Sequence, residues 1–225
     1  MFMLNKLLEW SAFDDDSAGE VGEFLSIFRH YVANLGKVFR DSTFVPGKGG
    51  LVNSFKMSEL PWKRSQWARL YTIFPGHKFC HLWAPRKLFD YTDKKMPNML
   101  GVLTGLSHYP HFIKECIFPD TDDNPSGAYI VYLHIRGRVK RVLVDDLVPI
   151  DPWESPQFLE PPISEDNWHQ AYSAEDGLRK NEKPDIWPQL ITKALAKEMI
   201  NYERVTLQNT QNLLRDITGM PTRTY

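Results

Sequence analysis

Residues 94–119 read KKMPNMLGVLTGLSHYPHFIKECIFP. Leu100, Leu103 and Leu106 recur at helical spacing, and Phe112, Ile113, Cys116 and Ile117 repeat the pattern, so the stretch predicts two helical stripes laid on one core. Pro110 divides them. Its ring has no N–H to donate and pushes the residue before it out of helical backbone angles, so the first helix stops or kinks there. Cys116 falls on the apolar side, where a buried and inert thiol is expected.

Downstream, residues 128–150 read AYIVYLHIRGRVKRVLVDDLVPI, two β-branched and aromatic-rich runs flanking Arg136-Gly137-Arg138. The glycine supplies the positive φ of a short hairpin loop. Residues 151–184 are rich in proline and acid without any period, and predict a long loop or an excursion over the surface or onto a partner. Asp185 then stands as N-cap to a helix in IWPQLITKALAKEMINY (186–202), with Pro188 in the tolerated first turn. Trp187, Leu190, Ile191, Ala194 and Leu195 make its apolar face. A last short helix, TQNLLRDIT (210–218), ends at Gly219 as a C-cap.

Upstream, DSTFVPGKGGLVNSF (41–55) reads as turn-rich loop, and LPWKRSQWARLYTIFPG (60–76) as irregular structure or a short helix. Ser17 and Glu20 form a capping box. Behind it Val21, Phe24, Leu25, Phe28, Val32 and Leu35 share a face, predicting a helix to about Val38 that docks on its own domain or meets a partner. There is no internal repeat. Helices first, one antiparallel hairpin in the middle and helices again give an α+β chain: a helical arm over 1–36 and one domain over 37–225.

The 225 residues, 42% apolar and 13% aromatic, suffice for one sizeable core. A net charge of -1 lacks the basic excess of a dedicated nucleic-acid binder, so nucleic acid is not an expected partner. Two cysteines, Cys80 and Cys116, are too few for a disulfide scaffold and fit a reducing compartment. No apolar run approaches the roughly 20 residues of a membrane span. The opening MFMLNKLLEW runs straight into SAFDDDSAGE, which matches neither a secretory leader nor a mitochondrial presequence, and an intracellular location is expected.

Candidate chemistry is sparse. His77, Cys80, His81, His108 and His111 are metal-ligand types, but their spacing matches no familiar zinc pattern, and no metal is expected. Cys80 beside His81 is sequence adjacency, not the geometry of an activated nucleophile. VPGKGGL (45–51) lacks the spacing of a phosphate-binding loop. Arg136, Arg138, Lys140 and Arg141 make the hairpin a basic tip, either simply solvated or in contact with an acidic partner such as a protein tail or RNA.

These pieces resemble the first half, the papain-like N-terminal core subdomain, of the calpain cysteine proteases. GKVFRDSTFVPGKGGLV (36–52) is similar to the family's opening segment and Trp62-Lys63-Arg64 to its Trp-Lys-Arg-Pro. LGVLTGLSHYPHFIKECIFP (100–119) resembles the helix after the nucleophile, Leu-Ala-Ala-Leu-x-x-Leu-x-x-x-Pro through to Phe-Pro. Residues 129–149 resemble the family hairpin with its Val-Asp-Asp-x-x-Pro ending. IWPQLITKALAKEMINYERV (186–205) is similar to Phe-Trp-x-x-Leu-Leu-Glu-Lys-Ala-Tyr-Ala-Lys, and LLRDITG (213–219) to Phe-Glu-Asp-Phe-Thr-Gly. The resemblance covers about residues 37–220.

The same register shows departures. The family's Gln-Gly-x-Leu-Gly-Asp-Cys-Trp falls on YTDKKMPN (91–98), so Tyr91 stands at the oxyanion Gln and Pro97 at the nucleophile. The calcium-ligand Glu that the family implies reads Thr192. The second half, bearing the triad's His and Asn, is not expected. The resemblance therefore implies a pseudoprotease with no cofactor, acting as a structural or interaction subunit like small calpain-like proteins of protists, which are attached to cytoskeleton or cilium. Tubulin or axonemal proteins are the expected partners; a mitochondrial or ribonucleoprotein assembly is the alternative, as is RNA at the hairpin tip. Phe2, Leu4, Leu7, Leu8 and Trp10 in the arm, and Trp153, Phe158, Trp168 and Tyr172 in the 151–184 loop, are the further partner-binding candidates.

Overall fold

A computed structural model describes residues 26–30, 32, 34–44, 66–73, 79, 96–119, 126–150 and 185–223. At its centre strand β2 (Ala128–Ile135) pairs antiparallel with β3 (Arg138–Asp145), in register from Ala128↔Asp145 to Ile135↔Arg138. The loop is the two-residue Arg136-Gly137, and both residues hold positive φ, 55° and 79°. This is the type I′ signature, whose twist matches that of the flanking strands. Arg138, expected in the loop, opens β3.

The apolar runs are continuous because both faces of the hairpin are covered. Tyr129, Val131, Leu133, Val142 and Val144 join the main core, while Ala128, Ile130, Tyr132 and Leu143 meet a second cluster holding Phe28, Val32 and Phe39. Residues 26–30, 32 and 34 are helical and supply that second cover. Arg29 fastens it by donating from Nε and Nη2 to the Ala128 carbonyl at 3.1 and 3.0 Å. The helix ends in a turn at Leu35-Gly36, where Gly36 takes φ 60°. The helix thus stops short of the expected Val38, and Leu35, expected in the buried stripe, is exposed. Val21, Phe24 and Leu25 lie outside the described residues.

Strand β1 (Gln66–Arg69) lies in a stretch expected to be irregular or helical; it pairs antiparallel with β4 (Leu147–Ile150), Gln66↔Ile150 to Arg69↔Leu147. Only then does a short helix follow, α1 (Leu70–Ile73). The pairing is made with residues some 80 positions on, so the local sequence carries no trace of it.

Helix α2 (Pro97–Leu106) buries Met99, Leu100, Val102, Leu103 and Leu106. It stops ahead of Pro110, which opens α3 (Pro110–Phe112), and a single π-helical turn runs on through Ile113–Ile117. That wider turn advances each residue by a smaller angle than an α-helix does. Ile113 and Ile117 stay buried, whereas Cys116 swings outward and is exposed, not buried as the α-helical spacing predicts.

Helix α4 (Trp187–Glu198) is buried from Trp187 through Ala196, with Pro188 in its first turn. Asp185 does not cap it: the N-cap residue is Ile186, without a side-chain bond, and Asp185 is itself buried. The helix ends at Glu198, with Met199 as its C-cap, and Ile200 just beyond takes φ 83°. Asn201 Oδ1 accepts from the Arg204 N–H at 3.0 Å to start α5 (Tyr202–Thr206), and Asn209 Oδ1 accepts from the Asn212 N–H at 2.8 Å to start α6 (Thr210–Thr218). Gly219, at φ 70°, closes α6 by donating its N–H to the Arg215 carbonyl at 2.8 Å. Leu103, Leu106, Ile113, Ile117, Trp187, Leu190 and Ile191 share one core with a hairpin face, and Phe112 packs at its margin.

Candidate functional site

The start of α2 is where the resemblance implies a nucleophile. Pro97 is its exposed first residue, following the buried Met96, and no side chain caps the end. Asn98 ties this end to the connection between α5 and α6: its Nδ2 donates to the Gln208 carbonyl at 2.9 Å, and Thr210 Oγ1 donates to its Oδ1 at 3.4 Å. A helix N-terminus has positive character, but Pro97 offers it neither a nucleophile nor an N–H. Tyr91, His77, Cys80 and His81 lie outside the described residues. His108 and His111 are both exposed, and His111 Nδ1 lies 3.7 Å from Glu115 Oε1 one turn on.

Thr192, at the position implied for a calcium-binding carboxylate, is buried and turns its hydroxyl onto its own helix, donating to the Pro188 carbonyl at 2.9 Å. The basic tip is smaller than expected. Arg136 and Arg138 are exposed and have no ion-pair partner among the described residues, but Lys140 pairs with Glu198 at 2.6 Å. Arg141 is buried, because alternation along β3 turns it toward the second cluster. The remaining candidates, Phe2, Leu4, Leu7, Leu8, Trp10, Trp153, Phe158, Trp168 and Tyr172, lie outside the described residues.

The strongest electrostatic feature is one that the sequence reading did not single out. Asp41, Asp145 and Asp146 sit buried against Lys197, Lys193 and Arg69 respectively. Lys197 Nζ donates to Asp41 Oδ2 at 2.7 Å and to the Leu143 carbonyl at 2.6 Å. Lys193 Nζ donates to Asp145 Oδ1 and to the Leu147 carbonyl, and stands 5.9 Å from the centre of the Trp67 ring. The Asp41 N–H donates to Asp145 Oδ2 at 2.8 Å, which joins two of the pairs. Arg69 completes the group, holding Asp146 and donating from Nη2 to the Phe39 carbonyl at 2.9 Å.

Three carboxylates face three cations, and both oxygens of Asp41 and of Asp145 accept hydrogen bonds; pairing of this kind is the condition under which buried charge is tolerated. Burial pushes the Asp41 carboxyl up, but Lys197 and the Thr43 hydrogen bonds outweigh it and hold the carboxyl below its ordinary range. Burial pulls the Lys193 ammonium down despite Asp145. Burial, with Asp145 nearby, holds the Tyr202 phenol well above its ordinary range. A signal was available: Lys193 and Lys197 lie one turn apart among Leu190, Ile191, Ala194 and Leu195, and Asp145-Asp146 follows the apolar run Val142–Val144.

A mostly helical domain built round one antiparallel hairpin, with its central helix opening at Pro97, is an α+β half-domain of the calpain type. A family model described as calpain family cysteine protease matches residues 39–225, and the chain belongs to that family. Calpain-7 of Sus scrofa is 31% identical over 96 residues, 40% of this chain and 10% of the relative. Calpain-7 of Homo sapiens is 32% identical over 92 residues, 39% of this chain and 9% of the relative. The matched region thus spans about a tenth of these relatives' length. Among the described residues no helix is long and apolar enough to cross a membrane.

Proposed function

We propose that this chain is a calpain-type domain without peptidase chemistry, working as a structural or interaction subunit of a larger assembly, cytoskeletal or ciliary in the first place. The observation that carries it is Pro97 at the first position of α2, where the family register puts the nucleophile. Thiolate catalysis needs a side chain to attack and a backbone N–H to bind the oxyanion, and proline supplies neither. Thr192, bonded to its own helix, further removes a carboxylate from the implied calcium site. The buried ion-pair network supports a scaffold role, since it ties the segment at Asp41, β1, the end of β3 and α4 into one unit.

The first test is purified protein with casein, with and without calcium, alongside a thiol-directed covalent probe. No turnover is expected. Turnover abolished by Cys80→Ser or Cys116→Ser would overturn the inert reading. The second test is co-sedimentation with microtubules from native lysate, with release expected on deleting residues 1–16 or combining Trp153→Ala with Trp168→Ala. Recovery with ribosomes or mitochondria and not with microtubules would overturn the cytoskeletal assignment.

A further inference from the structure

Among the described residues, Arg136 (φ 55°) and Ile200 (φ 83°) are the non-glycine positions with left-handed backbone. Neither residue type suits its place. The first central position of a type I′ loop favours Asn, Asp or Gly, and a β-branched side chain is the worst class for positive φ. Burial does not compensate. Arg136 is exposed and Ile200 is 56% exposed. Disfavoured backbone held by exposed side chains points to a use outside the fold itself.

Arg138, which follows the Arg136-Gly137 loop, and Ile200 each lie two residues from a member of one ion pair. Lys140 lies two residues along β3 from Arg138, and therefore on the same face. It pairs at 2.6 Å with Glu198, two residues before Ile200. Strand rise and side-chain reach keep Arg138 and Ile200 within about 25 Å, the span of an extended peptide of about eight residues. Lys140 and Glu198 neutralise each other, so Arg136 and Arg138 are the exposed cations at the hairpin tip without an ion-pair partner among the described residues, and Ile200 is the exposed apolar side chain beyond the pair.

We propose that Arg136, Arg138 and Ile200 form a docking surface for an acidic polypeptide segment carrying an apolar side chain. It rests on the subunit role proposed above and names the partner chemistry. Two arginines beside an isoleucine suit such a segment better than a nucleic acid, whose tracking requires a longer run of cations.

The test uses the full chain and short synthetic Glu-rich peptides, each with one Leu or Phe, followed by fluorescence anisotropy at low and high salt. Binding is expected to weaken with salt and to fall at least about tenfold in the Arg136→Asn, Arg138→Ser double variant and about threefold in Ile200→Gly. The thermal midpoints of Arg136→Asn alone and of Ile200→Gly should rise, because each relieves disfavoured backbone. Lost binding together with gained stability is a combination that a purely structural residue does not give. Absence of binding by the unmodified chain, unchanged binding in the variants, lowered midpoints, or displacement by oligouridine at lower concentration than by competing peptide would each overturn the docking surface. Mass spectrometry of the recovered peptides keeps the two proposals apart. Cleavage by the chain would overturn the non-catalytic reading, whereas intact but unbound peptides overturn only this surface.

Discussion

Lys193 is a lysine with no exposure at all, held by Asp145, a carboxylate equally enclosed. Removing one member of such a pair leaves the other charged and buried, so Lys193→Ala and Asp145→Ala should each cost about 3–5 kcal/mol in denaturant unfolding. Lys193→Met with Asp145→Leu should be milder than either, since no uncompensated charge remains; a double variant as damaged as the singles added together would show that the two side chains act independently. Asp41 gives the pH dependence. Its folded-state pKa lies below the ordinary value of 3.8, so its contribution is complete above that value and is lost as pH falls through the folded-state pKa. Stability measured against pH should therefore show an acid limb that flattens in Asp41→Asn, and an unchanged limb would remove Asp41 from the account.

At the scale of elements, each part was legible to the extent that its cause is local. The hairpin announces itself because glycine between two β-branched runs can satisfy few other arrangements, and α6 because Gly219 takes the left-handed conformation that ends it. β1 was not legible, since four residues acquire strand geometry only through β4. Nor was the π turn, which moves Cys116 to the surface with no change in the apolar pattern around it. The break at Ile200 runs against its own residue type, so propensity predicts the continuous helix that is not there. Of the candidate site, Pro97 and Thr192 lie on the helices that the apolar spacing predicts, whereas the pairing of Asp145 with Lys193 needed the third dimension. Helix α2 carries the packing test. Leu103 is fully buried among α2, the hairpin and the C-terminal helices, so Leu103→Ala should cost about 2–5 kcal/mol. An unchanged melting temperature would contradict the core described.

Across the whole molecule, the hairpin is a wall between two clusters, with α2, α4 and α6 on one side and the N-terminal helix on the other. The family match begins at residue 39, yet Phe28 and Val32, which precede it, cover Ile130, Tyr132 and Leu143. Phe28 stacks edge-on against Phe39 at 5.7 Å between ring centres, so the cover is continuous with the first matched residue. Phe28→Ala should lower stability by about 3–5 kcal/mol, the range for truncating a buried aromatic. Residues 39–225 alone should present the uncovered sheet face to water, bind a hydrophobic dye and self-associate in size-exclusion chromatography, because an apolar sheet face left bare is an association surface. Should that fragment run as a monomer with the full chain's melting temperature, the N-terminal helix would be an ornament to the domain and not its second wall.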